Sequence, residues 1–316
     1  MSPATRCTVF TVADARYWIG AVALVNSLRL VGHEEPVVVL DAGLSRHQRS
    51  RLVEAAEVVA PPEPVRAPFL AKWLLPLARD SSVPVLLDAD LVVTRALTPL
   101  LAEVERGRVV AFVDRLATRG FSEWDELAGE QMHMHPYVNS GFIALPAELA
   151  PAALQRAREA QERVDLAAAR LLGRGSTEDP FHFPDQDTWN ATLRALVPPE
   201  RLLALEHRLA PTEPWDEVVA EDVESLRCVN PDGSRPHLVH VVGPKPWLAN
   251  VAATAYEQLL PRLVLTDDVA IPLRRSELPP RLRWARFVGR EAMPRRVARA
   301  LGLRRLVRAT HLGSAR

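Results

Sequence analysis

The chain has 316 residues, of which 48% are hydrophobic, with 39 basic and 39 acidic side chains. That length suffices for one large domain or two small ones, and the balanced charge points to no particular class of partner. Two cysteines, Cys7 and Cys228, do not indicate a disulfide framework. The first residues lack the apolar core of a signal peptide, and no run approaches the roughly 18 apolar residues of a membrane span. We therefore expect a cytoplasmic protein.

The charge is unevenly distributed along the chain. Residues 271–316 contain thirteen arginines and only two glutamates. Over 278–309, arginines mix with leucine, valine and aromatic residues at helical spacing, which is typical of segments that lie on an anionic bilayer. A packed or disordered extension is the alternative, and no nucleic-acid recognition module accompanies the arginines. We predict no nucleic-acid partner and a tail that can attach the protein to the inner face of the membrane.

Apolar runs alternate with helical patterns from the amino terminus onward. In chain order they predict a strand at 7–12, a helix at 17–32, a strand at 36–41, a helix at 45–57, a Pro-rich connector at 60–68, a helix at 69–80, strands at 83–88, 108–114 and 141–145, a helix at 147–172 and a strand at 237–242. This alternation predicts an α/β sheet with many parallel strands. We predict a catalytic domain over 1–265 and a basic amphipathic extension over 266–316.

Carboxylates follow three of the predicted strands. Asp14 comes after the first strand, Asp88 and Asp90 come at the end of the third, and Asp114 ends the next. In α/β sheets, ligands collect beyond the carboxyl ends of the strands. Two carboxylates one residue apart repel each other and resist burial, so we expect a hard cation such as manganese or magnesium to neutralise them and bridge to a diphosphate.

Other protein classes share part of this pattern. An apolar run followed by D-x-D also begins haloacid-dehalogenase-type phosphatases, in which Asp88 would be the phosphoryl nucleophile. Here more than 80 residues precede the motif, and no later Gly-Asp pair followed by another aspartate supplies a second metal-binding motif. A nucleotidyltransferase would carry a Gly-rich basic loop after its first strand, which is lacking here. The phosphatase stays as an alternative for Asp88 and Asp90.

Four further stretches accompany the D-x-D in order along residues 7–250: TVADARYWIGAVALVNSLR (11–29), YVNSGFIAL (137–145), DQDTWN (185–190) and HVVGPKPW (240–247). Together they resemble glycosyltransferase family 8, the group of glycogenin and the lipopolysaccharide galactosyltransferases. The resemblance implies the GT-A fold, a Rossmann-like mixed sheet flanked by helices that is typical of nucleotide-diphospho-sugar transferases. It also implies a retaining transferase that moves a hexose from a UDP-sugar with the help of manganese, or magnesium in its place.

The resemblance also implies roles for individual residues. Asp88, Asp90 and His240 would bind the metal. Gln186, Asp185 and Lys72 would act in catalysis, with Gln186 near the anomeric carbon on the acceptor side. Residues at the donor-binding positions of the family are Ala13, Asp14, Tyr17, Lys72, Asp114, Asn139, Ser140, Asp185, Gln186, Gly243 and Lys245.

The two lysines of the chain support this interpretation independently. The other 37 basic residues are arginines, yet both lysines fall on motif positions, Lys72 sixteen residues before Asp88 and Lys245 within K-P-W. A compact ammonium suits a diphosphate and stabilises it as a leaving group. Two positions depart from the family pattern: Arg16 replaces the usual asparagine or aspartate, and Pro244 alone separates Gly from Lys where the family usually has two residues.

The acceptor face offers no carboxylate nucleophile, because Gln186 is an amide. We therefore expect front-face displacement, in which the acceptor enters on the side from which the diphosphate leaves. Asp187 is interpreted as charge at a helix N-terminus, and residues 116–137 as a loop that closes over donor or acceptor. His133 and His135 lack a third ligand and are not expected to bind metal. A non-catalytic sugar-nucleotide-binding protein is the other alternative, and neither hexose nor acceptor is identified.

Overall fold

The computed structural model describes residues 7–65, 67–74, 76, 83–128, 132–164, 178–249 and 254–283. Its strands are β1 (Cys7–Ala13), β2 (Val37–Asp41), β3 (Glu57–Val59), β4 (Val83–Leu87), β5 (Leu91–Val93), β6 (Val109–Val113), β7 (Val138–Ala144), β8 (Leu202–Leu205), β9 (Thr212–Glu213), β10 (Val219–Asp222), β11 (Arg227–Val229) and β12 (Leu238–Val241). Its α-helices are α1 (Trp18–Leu30), α2 (Arg46–Leu52), α3 (Thr98–Glu105), α4 (Glu123–Ala128), α5 (Ala150–Arg163), α6 (Pro184–Leu196), α7 (Ala255–Leu265) and α8 (Pro280–Arg283).

Seven of the described strands form one mixed sheet in the order β3-β2-β1-β4-β7-β6-β8. β1 pairs in parallel with β2 and β4, whereas β7 runs antiparallel between β4 and β6. The central strands β2 and β4 are buried along their whole length, as their valine and leucine runs predict. The predicted α/β class with a mixed sheet is confirmed, and each of the six predicted strands coincides with one observed strand.

A smaller sheet continues from the end of β4, in the order β5-β12-β9. β12 runs antiparallel to β5, with His240 opposite Leu91, and parallel to β9, with His240 opposite Thr212. β10 and β11 form a separate antiparallel pair. The sequence patterns did not predict β5, β9, β10 or β11, because strands of two to four residues are too short to show a periodicity.

Two predicted helices differ from what the structure shows. The helix predicted at 45–57 ends at Leu52, and Glu57–Val59 forms β3 beside β2. The β-branched Val58 and Val59 favour a strand where the edge of β2 offers hydrogen bonds. The helix predicted at 69–80 begins instead with a 3₁₀ turn at Pro68–Leu70, and its later residues, 77–80, lie outside the described residues. The helix predicted at 147–172 is described as α5, and 165–172 also lie outside.

Apolar side chains cover both faces of the main sheet. On one face α1 and α7 pack with β5 and β12 around residues such as Leu24 and Val92. On the other face α5 and α6 pack around Trp73 and Trp189, whose rings stack 5.0 Å apart. Because both faces are covered, the carboxyl ends of the strands are the place where polar side chains can meet a ligand.

The residues that follow α7 pack back onto the same core. Ile271, Leu273 and Leu278 are buried, and the amide of Asn26 on α1 donates to the carbonyl groups of Leu263 and Ile271. The basic segment beyond residue 283, with its predicted membrane contact, lies outside the described residues. The boundary at residue 265 between the catalytic domain and the basic extension stays a prediction, and so does the cytoplasmic location. Among the described helices, none has the length and apolar character that crossing a bilayer requires.

Candidate active site

Asp88 and Asp90 lie where the chain passes from the main sheet to the smaller one. Asp88 directly follows β4, and its N–H donates to the carbonyl of Gly141 on β7 at 2.9 Å. Asp90 directly precedes β5, and its carbonyl accepts from the N–H of Val241 at 3.2 Å. Backbone pairing with both sheets therefore fixes the position of the two carboxylates.

His240 reaches the aspartates from β12. Its Nε2 lies 3.2 Å from Asp90 Oδ1 and 3.9 Å from Asp88 Oδ2. Ligand atoms of the three residues lie within 4.8 Å of one another, and no other such group of His, Cys, Asp and Glu occurs in the described part of the chain. Carboxylate oxygens with one imidazole nitrogen suit manganese or magnesium, so these residues fit a divalent cation.

One buried lysine contacts each aspartate. Lys72 donates to Asp88 Oδ1 at 2.7 Å and to the carbonyl of Ser140 at 2.8 Å. Lys245 Nζ lies 2.5 Å from Asp90 Oδ2 and donates to the carbonyl of Val241 at 2.6 Å. The one-residue-shorter loop before Lys245 therefore keeps both this ammonium and His240 at Asp90. Two ammonium groups at the aspartate pair provide charge complementary to a diphosphate.

Burial and charge act against each other on the pKa values of these groups. Burial favours the neutral form of Asp90, but the charges of Lys245 and His240 outweigh it and hold the pKa of Asp90 well below its ordinary value. Burial also favours neutral Lys72, but Asp88 and Asp185 raise the pKa of its ammonium. We therefore expect Asp90 to stay ionised and Lys72 to stay protonated near neutral pH.

A cavity of about 270 Å³ opens beside the aspartates. It is lined by Val12, Asp14, Arg16, Tyr17, Pro68, Phe69, Lys72, Asp88, Ala89 and Asp90. The ring of Tyr17 meets Trp247 edge-on with a centroid distance of 6.2 Å, and Lys245 Nζ lies 5.6 Å from the Tyr17 centroid. The sequence patterns did not identify Phe69 as part of the site, because it begins the predicted helix at 69–80 and the apolar pattern of that helix does not show which side chains reach a ligand.

Asp14 has a structural contact as well as a place in the cavity wall. Its Oδ1 accepts from the N–H groups of Arg16 and Tyr17, both at 2.9 Å, at the start of α1. The indole of Trp247 donates to the carbonyl of Arg16 at 2.7 Å, which joins the K-P-W segment to the same turn. Ala13, predicted as a backbone contact, is buried, and its carbonyl accepts from the N–H of Ala42 at 2.9 Å.

Hydrogen bonds connect the predicted sugar-binding residues across β6, β7 and α6. The amide of Asn139 donates to Asp114 Oδ2 at 3.0 Å. The hydroxyl of Ser140 donates to Asp185 Oδ2 at 2.8 Å, and its N–H donates to Gln186 Oε1 at 3.1 Å. Asp185 Oδ2 also lies 3.5 Å from the ammonium of Lys72, and burial raises the pKa of this carboxyl. The fold thus brings these five residues together beside the aspartate pair. Gly243 follows β12 on an exposed turn with a φ of 75°.

Asp187 lies in the first turn of α6, as predicted. Besides placing a charge at the helix N-terminus, it also bonds two residues of another segment. Its carboxylate is completely buried, and it accepts from Arg119 Nε and Nη2, both at 2.8 Å, and from the hydroxyl of Tyr137 at 2.6 Å. The carboxylate therefore ties the predicted loop 116–137 to α6. The sequence did not reveal this pair, because Arg119 is one of 37 arginines and its spacing from Asp187 has no pattern.

His133 and His135 do not join a metal cluster among the described residues. Their rings are 6.2 Å apart, and His135 Nε2 lies 2.5 Å from the carbonyl of Val197. Burial lowers the pKa of His135 below its ordinary value. The side chain of His135 therefore packs between the loop and the C-terminal end of α6, and the N–H of His133 donates to the carbonyl of Arg194 there at 2.7 Å.

Solved structures of glycosyltransferases share this architecture. Galactosyltransferase LgtC, in complex with donor and acceptor sugar analogs, aligns with a TM-score of 0.50 and 17% identity over 83% of this chain and 98% of that chain. An active-site mutant of LgtC aligns with a TM-score of 0.52 and 17% identity over 87% and 99%. The apo form of GlyE from Streptococcus pneumoniae TIGR4 aligns with a TM-score of 0.52 and 14% identity over 84% and 61%. The chain has the GT-A glycosyltransferase fold.

This GT-A chain matches no protein-family model and no curated protein. Its likeness to LgtC and GlyE is therefore one of fold. Within the GT-A fold, Asp88 and Asp90 follow a central strand and meet His240 from the smaller sheet.

Proposed function

We propose that the protein is a metal-dependent retaining glycosyltransferase that moves a hexose from a UDP-sugar to an acceptor. The observation that carries this proposal is the cluster of Asp88, Asp90 and His240, placed beside a cavity and flanked by two buried lysines in a GT-A fold. The structure of LgtC with donor and acceptor sugar analogs supports it, because that protein has the same fold and is a galactosyltransferase.

In the proposed donor site, different residues hold the nucleoside, the diphosphate, the cation and the sugar. The cavity beside Tyr17 would take the nucleoside, and Lys72 and Lys245 would hold the diphosphate by charge. Asp88, Asp90 and His240 would hold the cation, which supplies Lewis-acid neutralisation of the leaving diphosphate. The sugar would then lie against the linked residues of β6, β7 and α6, which are Asp114, Asn139, Ser140, Asp185 and Gln186.

The same groups suggest the course of the transfer. Lys72 and Lys245 stabilise negative charge on the diphosphate as the glycosidic bond breaks. Gln186 is a poor nucleophile and its Oε1 is already bonded to the N–H of Ser140, so we propose no covalent sugar–protein intermediate there. The acceptor hydroxyl attacks from the face on which the diphosphate departs, and a diphosphate oxygen takes its proton. The configuration at the anomeric carbon is retained.

The test is a panel of nucleotide sugars incubated with the full chain, with manganese or with a chelator, and scored for hydrolysis and binding. We expect UDP-hexose hydrolysis that requires the metal. Asp90→Asn should reduce it on the order of 100-fold, because the variant loses a charged metal ligand and the partner of Lys245. The exposed Asp267→Asn is the matched control and should leave the rate unchanged.

Three results would contradict the proposal in different ways. Hydrolysis at an unchanged rate in the presence of chelator would contradict the proposed metal dependence. Binding of UDP-sugars without turnover in the presence of saccharide acceptors would favour the non-catalytic alternative. A covalent sugar adduct on the protein, detected by mass spectrometry, would refute front-face displacement.

A further inference from the structure

Trp215 is exposed, unlike the other tryptophans that the structure describes. Its relative exposure is 61%, whereas Trp18, Trp73, Trp124, Trp189 and Trp247 are all buried. An indole that keeps most of its surface in water contributes less to folding than a buried one and stays accessible to a ligand.

Trp215 stands next to the proposed active site. It follows β9 by two residues, and β9 lies beside β12 with Thr212 opposite the metal-ligand candidate His240. The N–H of Val242, two residues after His240, donates to the carbonyl of Glu213 at 2.9 Å. The chain segment that carries Trp215 therefore leaves the sheet at the same edge as the segment that carries Lys245.

A second contact joins the turn that carries Trp215 to the sugar-binding side of the site. Its neighbour Asp216 lies 3.6 Å from Arg115, which directly follows Asp114. The cavity proposed for the nucleoside is instead lined from the segments around β1, the 3₁₀ turn at Pro68–Leu70 and the end of β4. Trp215 is not among the residues that line this cavity, and it lies by the ends of β9 and β12 instead. With the nucleoside in the cavity, the side of Trp215 is left for an acceptor.

The turn that presents Trp215 is firmly held. The N–H groups of Trp215 and Asp216 both donate to the carbonyl of Thr212, at 3.1 Å and 2.9 Å. The carboxylate of Asp216 accepts in return from the N–H and the hydroxyl of Thr212, at 2.7 Å and 2.9 Å. A rigid platform loses little conformational freedom when a ligand binds to it, which favours affinity.

We infer that Trp215 is an acceptor-binding residue and that the acceptor is a saccharide whose pyranose ring stacks on the indole. The inference rests on the proposed function. One face of a pyranose presents C–H groups that pack on an aromatic ring, while its hydroxyl groups point outward and need polar partners. Arg115, with 44% of its side chain exposed, supplies such a partner near Trp215, because it lies 3.6 Å from the carboxylate of the adjacent Asp216.

The test uses saturation-transfer NMR with the full chain, UDP and manganese present, and a panel of methyl glycosides and disaccharides as probes. We expect wild type to bind at least one saccharide through its axial C–H protons. Trp215→Ala should weaken that binding by roughly tenfold, and Trp215→Phe, which keeps an aromatic face, should restore most of it. Val53→Ala, an exposed apolar position directly after α2 with 54% of its surface exposed, is the matched control and should bind as wild type does.

UDP affinity, measured by calorimetry in the same proteins, separates the two proposals. If wild type binds no UDP, the proposed function fails and this inference fails with it. If UDP binds but no saccharide does, or if Trp215→Ala binds saccharides as tightly as wild type, the donor assignment stands and the acceptor inference is overturned. Binding of lipid or peptide probes in place of saccharides would overturn it in the same way.

Discussion

The position of His240 depends on a glycine of the neighbouring strand. A Cβ atom at Gly141 would lie 2.8 Å from His240 Cε1, 2.9 Å from its Nδ1 and 2.8 Å from Asn139 Oδ1. These distances are shorter than side chains tolerate, so only a residue without a Cβ lets the imidazole lie over β7 beside Asp90. The close approach of His240 and Asn139 thus explains why the third residue of the Asn-Ser-Gly stretch is a glycine.

We predict that Gly141→Ala weakens manganese binding by roughly 10- to 100-fold, because the added methyl group displaces the imidazole. Manganese affinity of the full chain, measured by calorimetry or by electron paramagnetic resonance, tests this. The matched comparison is the same substitution in a His240→Ala background. There Gly141→Ala should have little further effect on manganese affinity, whereas an undiminished additional loss would show that the methyl group acts elsewhere.

At the scale of elements, the structure shows how the segment after β6 is attached. Arg119, with 4% of its side chain exposed, pairs with Asp187 of α6, which is completely buried, and the indole of Trp124 donates to the carbonyl of Pro180 at 2.8 Å. On α6, Arg194 Nη2 donates to the carbonyl of Arg119 at 3.2 Å, and the carbonyl of Arg194 accepts from the N–H of His133 at 2.7 Å. The segment is therefore tied to α6 at several points, and its closure over a substrate stays a prediction.

We predict that Arg119→Met lowers the free energy of unfolding by about 3–5 kcal/mol, because it leaves the buried charge of Asp187 without its main partner. Chemical denaturation monitored by circular dichroism measures this effect.

Arg158→Met is the matched control for Arg119→Met. Arg158 pairs with Glu63 and Glu162 with 35% of its side chain exposed, so its loss should cost less than about 1 kcal/mol. Equal effects of the two substitutions would show that the Arg119–Asp187 pair is no more important than a surface ion pair.

At the scale of the whole molecule, the buried His237, directly before β12, makes the stability of the fold depend on pH. His237 is 5% exposed, and burial, with the charge of Arg95 beside it, lowers its pKa from 6.5 to about 4. Below pH 6.5 the unfolded chain binds a proton at His237 that the folded chain does not bind until about pH 4. The unfolded state therefore binds more protons in this window, and the stability of the fold decreases as the pH falls through it.

We predict that His237 makes the free energy of unfolding about 2 kcal/mol lower at pH 5 than at pH 7.5. Urea unfolding of wild type and of His237→Gln at both pH values measures this, and the decrease should be smaller by that amount in the variant. His207→Gln, an exposed position, is the control and should follow wild type. If the free energy of unfolding decreases by the same amount in wild type and in His237→Gln, His237 is not the cause of the decrease.

The sequence by itself determined the parts of this protein that depend on local pattern. Runs of apolar and β-branched residues predict β1, β2 and β4, because a stretch of that composition and length is most stable when buried in a sheet. The aspartates at the end of β4 and the two lysines at motif positions then pointed to a metal and a diphosphate. Short strands such as β5 and β9 left no such pattern, and the β-branched residues of β3 form a strand only because the edge of β2 offers them hydrogen bonds.

Only the tertiary structure decided which distant residues meet. The pairing of β12 with β5 brings His240 to Asp90 across 150 positions of sequence, and Lys72 joins Asp88 and Asp185 from two other elements. The salt bridge of Arg119 to Asp187 and the exposure of Trp215 likewise depend on packing. The physical reason is that burial, ion pairing and exposure belong to the arrangement of elements in space, which local sequence periodicity does not encode.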